Sequence, residues 1–187
     1  MTNFNSVEPG AGSEEAEAAL KVVEETFGAV PNLMKMIAAA PNVLQGIMGF
    51  NNSVASGGLS SALSERISLR TSALNGCKYC VAVHVLVGEQ CGVSRAELIE
   101  NMNGTDTDPK INAILKFVDS VIENRGKVEQ AILNSLRDHG IDNAMILEIL
   151  AVVGVYTFLN YAQHITQPVF DFPAISEFQP EKAGVAA

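Results

Sequence analysis

The chain has 187 residues, enough for one domain with a sizeable core, and is 48% hydrophobic but only 6% aromatic, without Trp. A formal net charge of −9 argues against nucleic acid as a partner, since phosphate binding needs a basic face. No basic stretch followed by an apolar one opens the sequence, so no secretory signal is expected. Three cysteines, an odd number, point to a reducing, cytoplasmic setting rather than a disulfide framework.

The punctuation in chain order is helical. Ser13 caps a first helix with Leu20, Val23 and Phe27 on one face and Gly28 as terminator. Its many glutamates read as a solvated face. Pro31 and Pro41 stand near helix starts, where a missing N–H costs nothing, and predict a short helix over 32–39 and a longer one through Val54. Gly57 and Gly58 end the latter. A fourth helix runs over 61–74, and Asn75-Gly76 turns the chain tightly into a fifth that ends at Cys91-Gly92.

Ser94 to Glu97 form a capping box for a short sixth helix to Met102. Asp108-Pro109 opens a seventh, in which Ile111, Ile114, Leu115, Val118 and Ile122 repeat at helical spacing until Gly126. Ile132, Leu133 and Leu136 mark an eighth, and Asp142 caps a long last helix through Ile165. The uncharged stretch inside that helix is too short for the ~20 apolar residues of a membrane span. It reads as a central or interface helix, and no membrane partner is expected.

No stretch alternates enough to demand a strand. The expected class is all-α, a single domain over 1–187, with a non-helical tail over 168–187. Phe170 and Phe172 in that tail call for a groove on the body or on a neighbouring subunit, and beyond Gln179 fraying is expected. The apolar last helix and the aromatic tail together suggest a homo-oligomer.

The segment Asn75-Gly76-Cys77-Lys78-Tyr79-Cys80-Val81-Ala82-Val83-His84 carries the chemistry. On a helix, positions 77, 80 and 84 fall within an arc of roughly 60°, so two thiols and an imidazole share one face. The helix dipole favours Cys77 as thiolate if Asn75 or Gly76 caps the helix and Cys77 lies in its first turn. His84, at i+4, favours Cys80, with Cβ atoms ~5–6 Å apart. A base in contact outweighs a diffuse dipole, which assigns attack to Cys80 and resolution to Cys77. Joining them across helical spacing requires some distortion of the first turn, and hence gives an easily reduced bridge. In an antiparallel helical hairpin about residues 75–76, Glu65 can reach His84 directly or through one water, and so orient the base.

Blander readings stand beside this one. The cysteines and His84 can be core residues, and Glu65 an ordinary exposed helix residue. Cys77, Cys80, His84 and Glu65 are also acceptable zinc ligands, although three ligands from one helix make poor tetrahedral geometry. Asn160 and His164, with Tyr156, form a polar stripe on the last helix. They either line the same cavity or make a hydrogen-bonded core or interface pair. A thiol–disulfide oxidoreductase or redox sensor, and a structural or metal-binding helical module, are the alternatives to a peroxidase.

Glu65 followed by Asn75-x-Cys77-x-Tyr79-Cys80-x-x-x-His84 resembles the signature of the alkylhydroperoxidase D-like branch of the carboxymuconolactone decarboxylase family. The resemblance is concentrated in 63–92 and extends to Thr157-Phe158-Leu159-Asn160. It implies an all-helical bundle assembled as trimers or hexamers, and reduction of organic hydroperoxides by the cysteine pair. Cys80 is then peroxidatic, Cys77 resolving, His84 the base and Glu65 its relay partner. An external dithiol, in this family a lipoylated protein among others, restores the pair; no metal, flavin or nucleotide cofactor is called for. Where the family has a second histidine, this chain has Tyr79, so that share of proton relay passes to Tyr79 or to water. The decarboxylase branch lacks the cysteine pair, which makes lactone decarboxylation a poor match.

Overall fold

A computed structural model describes residues 4–178, and among these the structure is all helical, with nine helices and no strand. Helix α1 (Glu14–Phe27) starts where Ser13 accepts from the Ala16 N–H and stops at Gly28, which takes φ = 73° and donates to Glu24 O. α2 (Asn32–Ile37) and α3 (Pro41–Ala55) follow the two prolines. α2 ends before the expected Ala39, because the next amides, those of Ala39 and Ala40, tighten onto carbonyls three residues back. Then come α4 (Ser61–Leu74), α5 (Lys78–Gln90), α6 (Arg95–Met102), α7 (Pro109–Glu123), α8 (Gln130–Asp138) and α9 (Asn143–Thr166). The Ser94 capping box, the Asp108 cap ahead of Pro109 and the Asp142 cap all form as the sequence signals.

α4 packs against α5, α6, α7 and α9, and so separates three apolar clusters. Its sequence is not very apolar, yet Arg66, Ser68, Thr71 and Ser72 are all buried. Small side chains let four neighbours approach, and the Ser68 hydroxyl donates back to Ser64 O. The two arginines are matched by carboxylates. Arg66 pairs with Glu97 at 2.8 Å and Asp106 at 2.9 Å, and Arg70 with Asp119. A buried guanidinium without such partners would cost several kcal/mol, on the order of 3–5.

α9 has 24 residues, and an 18-residue stretch within it has a mean hydropathy of 1.7, long and apolar enough by composition to cross a membrane. Here one face packs on α2, α3, α4, α5 and α7. The other presents an exposed stripe of Leu147, Leu150, Phe158, Tyr161 and Ile165. Glu148 is accommodated near the start of this helix because it accepts from the Gly58 N–H in the α3–α4 turn, at 2.9 Å. A Cβ at Gly57 would stand 2.9 Å from the Glu148 carboxyl carbon, so a larger residue there would displace that carboxylate.

After α9 the chain is non-helical through 178, and the aromatic tail docks on the body. The rings of Phe170 and Phe172 meet Tyr79 edge-on, at centroid distances of 5.5 and 5.7 Å. Asp171 accepts from the Tyr79 hydroxyl and from the Asn32 N–H at the start of α2. The fraying expected beyond Gln179 lies outside the described residues. Phe27 departs from expectation: it is half exposed rather than packed with Leu20 and Val23.

Replacing Asp171 by Ala removes two of the hydrogen bonds that hold this arm. A loss of about 1 kcal/mol in unfolding free energy is expected, with faster hydrogen exchange at Asn32 and over 168–172 and unchanged helical circular dichroism.

Candidate active site

The site begins with the α4–α5 turn. Asn75 ends α4, and Gly76 takes φ = 71°, a left-handed conformation that suits glycine. The turn closes as the Cys77 N–H donates to Ser72 O at 2.9 Å. Cys77 is therefore not in the first helical turn, as the sequence reading expected. It is itself the N-cap of α5, extended at φ −81°, ψ 91°, and its sulfur accepts from the Cys80 N–H at 3.2 Å. With Cys77 outside the helix, bridging it to Cys80 need not distort a helical turn.

Both cysteines are free thiols and both are buried, Cys77 fully and Cys80 to within 4%. The Cys80 thiol donates to the Cys77 sulfur. That bond, then the backbone amides of Cys80 and Tyr79 and the Asn160 amide, pull the Cys77 thiol below the ordinary thiol range despite burial. Donating to its neighbour, and burial, push Cys80 well above it. The pair thus behaves as one acid whose first charge rests on Cys77.

α9 supplies the second wall. Asn160, fully buried, accepts from the Asn75 amide at 2.9 Å and donates to the Ser72 hydroxyl at 3.1 Å, while its amide also meets both sulfurs. Gln163 Oε1 accepts from Cys77 Sγ at 3.6 Å. The polar stripe is thus joined to the dithiol, but through a different neighbour than expected. Gln163 faces the site while His164 is exposed. Asn160 and Gln163 are three residues apart on the helix, so their spacing would have admitted Gln163 to the candidate set.

Glu65 and His84 meet directly. The Nδ1–H of His84 donates to Glu65 Oε2 at 2.8 Å, which leaves Nε2 available for a thiol or a cavity water. The Tyr156 ring stands edge-on to the imidazole with centroids 4.4 Å apart. Burial and the Glu65 charge keep its phenol protonated. Tyr79, which lines the cavity, has its hydroxyl engaged by the arm and by α2. Its hydroxyl donates to Asp171 at 3.0 Å and accepts from the Leu33 N–H at 3.4 Å. Burial and the Asp171 carboxylate raise its pKa far above the usual phenol value.

Cys80, His84, Glu65 and the rings of Tyr79 and Tyr156 line a cavity of about 390 Å³, with Leu33, Met34, Met48, Val83, Leu159 and Phe172 as its apolar wall. Cys77 lies behind Cys80 and does not reach it. On the far side of Glu65 a second cavity of about 200 Å³ is edged by Asn51, Asn52, Ser61 and Ser64. Among the described residues no three His, Cys, Asp or Glu side chains converge to hold a metal ion, because Glu65 holds His84 while Cys77 turns to Gln163.

Residues 41–120 match the model of the carboxymuconolactone decarboxylase family. No curated protein matches the chain in sequence. The fold is similar to that of a peroxidase-related protein from Ralstonia eutropha JMP134, described as an alkylhydroperoxidase AhpD core. The two are 22% identical over 96% of this chain and 98% of that one, with a TM-score of 0.78. A peroxidase-related protein from Silicibacter sp. TM1040 is 22% identical over 95% and 97%, with a TM-score of 0.74. The debrominase Bmp8 in complex with 2,3,4-tribromopyrrole is 16% identical over 91% and 93%, with a TM-score of 0.78. At these identities the likeness speaks for the fold. Residues 41–120 are thus similar to the carboxymuconolactone decarboxylase family, and the architecture is alkylhydroperoxidase D-like.

Proposed function

We propose that the protein is a thiol-dependent peroxidase that reduces organic hydroperoxides through a Cys77/Cys80 dithiol–disulfide cycle. The observation that carries this reading is the hydrogen-bonded thiol pair whose cavity-facing member, Cys80, stands beside the His84–Glu65 couple.

The roles follow from access and charge. In the singly ionised pair the charge rests on Cys77, but only Cys80 meets the cavity. Passing the Cys80 proton to Cys77, or to His84 held by Glu65, puts the charge on Cys80. The thiolate attacks the distal peroxide oxygen. The S–O bond forms as O–O breaks, and the leaving alkoxide takes a proton to become the alcohol. The Cys77 sulfur then attacks the sulfenic sulfur of Cys80, the S–S bond forms, and hydroxide leaves and is protonated to water. In sum, one hydroperoxide and two thiols give alcohol, water and a disulfide.

An external dithiol closes the cycle by attacking Cys80, the accessible sulfur, and expelling Cys77. The groups that stabilise anionic Cys77 make it the better leaving thiolate. In this reading the reductant is a slender dithiol, such as the lipoyl arm of a lipoylated protein, that enters the cavity. The enclosure of both sulfurs disfavours the redox-sensor alternative in which folded protein disulfides are substrates. A second reading, favoured by the similarity to a debrominase and by the apolar cavity, is reductive debromination of an aryl bromide. The thiolate would take bromine, the aryl carbanion a proton, and Cys77 would then expel bromide to give the same disulfide.

Consumption of cumene hydroperoxide with dithiothreitol is the direct assay. Wild-type protein is expected to turn over, Cys80→Ser to be inactive, and Glu65→Gln to lose about 100-fold in kcat. Equal rates in wild type and Cys80→Ser contradict the proposal. Bromide release from a bromopyrrole without peroxide turnover would select the second reading.

The pH dependence has a definite sign. The pair loses its first proton below the ordinary thiol range, so iodoacetamide should alkylate the wild-type pair at correspondingly low pH. Cys77→Ser removes the neighbouring sulfur and its charge, the chief causes that hold Cys80 protonated, and leaves burial as the cause that raises it. The Cys80 thiol should then ionise, and be alkylated, at lower pH than the Cys80 thiol of the wild-type pair does once Cys77 carries the charge. An unchanged midpoint argues against the shared proton.

We also propose a homo-oligomer, trimer or hexamer, in a reducing cytoplasmic compartment, with the exposed stripe of α9 between subunits. Light scattering at micromolar concentration should give a multiple of 19.9 kDa, and a monomeric mass contradicts the assembly.

A further inference from the structure

The charge inventory of the cavity carries a statement about substrate class, resting on the hydroperoxide reading of the same site. Among the described residues lining it there is no lysine or arginine. Its acidic member is Glu65, and its one basic ring, His84, is held by that carboxylate at 2.8 Å. The arginines on Glu65's own helix are turned away and matched. Arg66 is paired with Glu97 and Asp106, and Arg70 with Asp119. Thr26, Asn51 and Gln90 add uncharged polar groups, and the rest of the wall is aliphatic, aromatic or thioether, Leu33, Met48, Val83, Leu159 and Phe172 among it.

An anion entering this space would lose its water, find no cation, and face the Glu65 carboxylate and the Cys80 thiolate together. A neutral body instead gains from the apolar wall. We propose that the cavity selects neutral hydroperoxides with a compact apolar body, aryl or branched alkyl, and rejects those whose body carries a carboxylate. The reaction is the one already written: the hydroperoxide is reduced to alcohol and water as Cys77 and Cys80 are oxidised to the disulfide.

The test uses two substrates of equal shape, cumene hydroperoxide with a para carboxylate and its methyl ester, with dithiothreitol as reductant of the full chain. The expected kcat/KM for the ester exceeds that for the acid by tenfold or more, and a smaller ratio overturns the inference. Gln90→Arg, at the exposed rim of the cavity, offers a cation without touching the thiol pair or the His84–Glu65 couple. It is expected to reduce the ratio at least threefold by raising turnover of the acid alone. An unchanged ratio in that variant would mean that charge is not what discriminates, and would overturn the inference as well. Turnover of neither substrate by the wild-type protein would instead defeat the peroxidase reading beneath it.

Discussion

The hydrogen bond from the Cys80 thiol to the Cys77 sulfur, at the N-terminus of α5, is the interaction on which the site depends. Two acids in contact cannot both ionise readily, so one proton and one charge are shared between the sulfurs. The backbone amides of the helix end hold the charge on the inner sulfur, and the cavity meets the outer one. Stability of the anion and access to substrate are thereby assigned to different atoms of one pair. That division suits a cycle in which the outer sulfur attacks and the inner one later closes the bridge.

The rest of the fold holds this pair from three directions. The Gly76 turn puts Cys77 on the helix axis as a cap, which a continuous helix could not do. α9 brings Asn160 between the turn, α4 and the sulfurs, and that tie is available only because α4 is lined with small side chains that admit α9 closely. The C-terminal arm covers the outside. It holds Tyr79 by its ring and its hydroxyl, and adds Phe172 to the wall of the cavity. Tyr79 is consequently an anchor between arm and α5, and its proton is bound to Asp171 instead of being offered to the sulfurs.

Much of this was legible in the sequence because caps, turns and periodicity are local. Ser13, the Ser94 box, Asp108-Pro109, Asp142 and Asn75-Gly76 mark helix ends by short-range hydrogen bonds, and the all-helical class follows from them. The contact between Glu65 and His84 followed from an antiparallel hairpin of known turn position. The missed features depend on how elements meet. Whether a residue caps a helix or begins it changes with one turn residue, and this moved Cys77 out of the first helical turn. Which of two polar residues on α9 faces inward depends on the rotation of that helix in its groove, and this exchanged His164 for Gln163. The partner of Tyr79 lies 92 residues away on an extended arm, and no periodic signal links the two.

The chemistry read from the pair requires both sulfurs and neither Cys91 nor any outside thiol in the oxidising half of the cycle. Mass spectrometry of alkylated protein after one equivalent of cumene hydroperoxide tests this most directly. The account predicts a 77–80 bridge in a single peptide, with Cys91 still alkylated as a free thiol. Oxidised Cys80 beside a fully alkylatable Cys77, or a bridge that recruits Cys91, would contradict it.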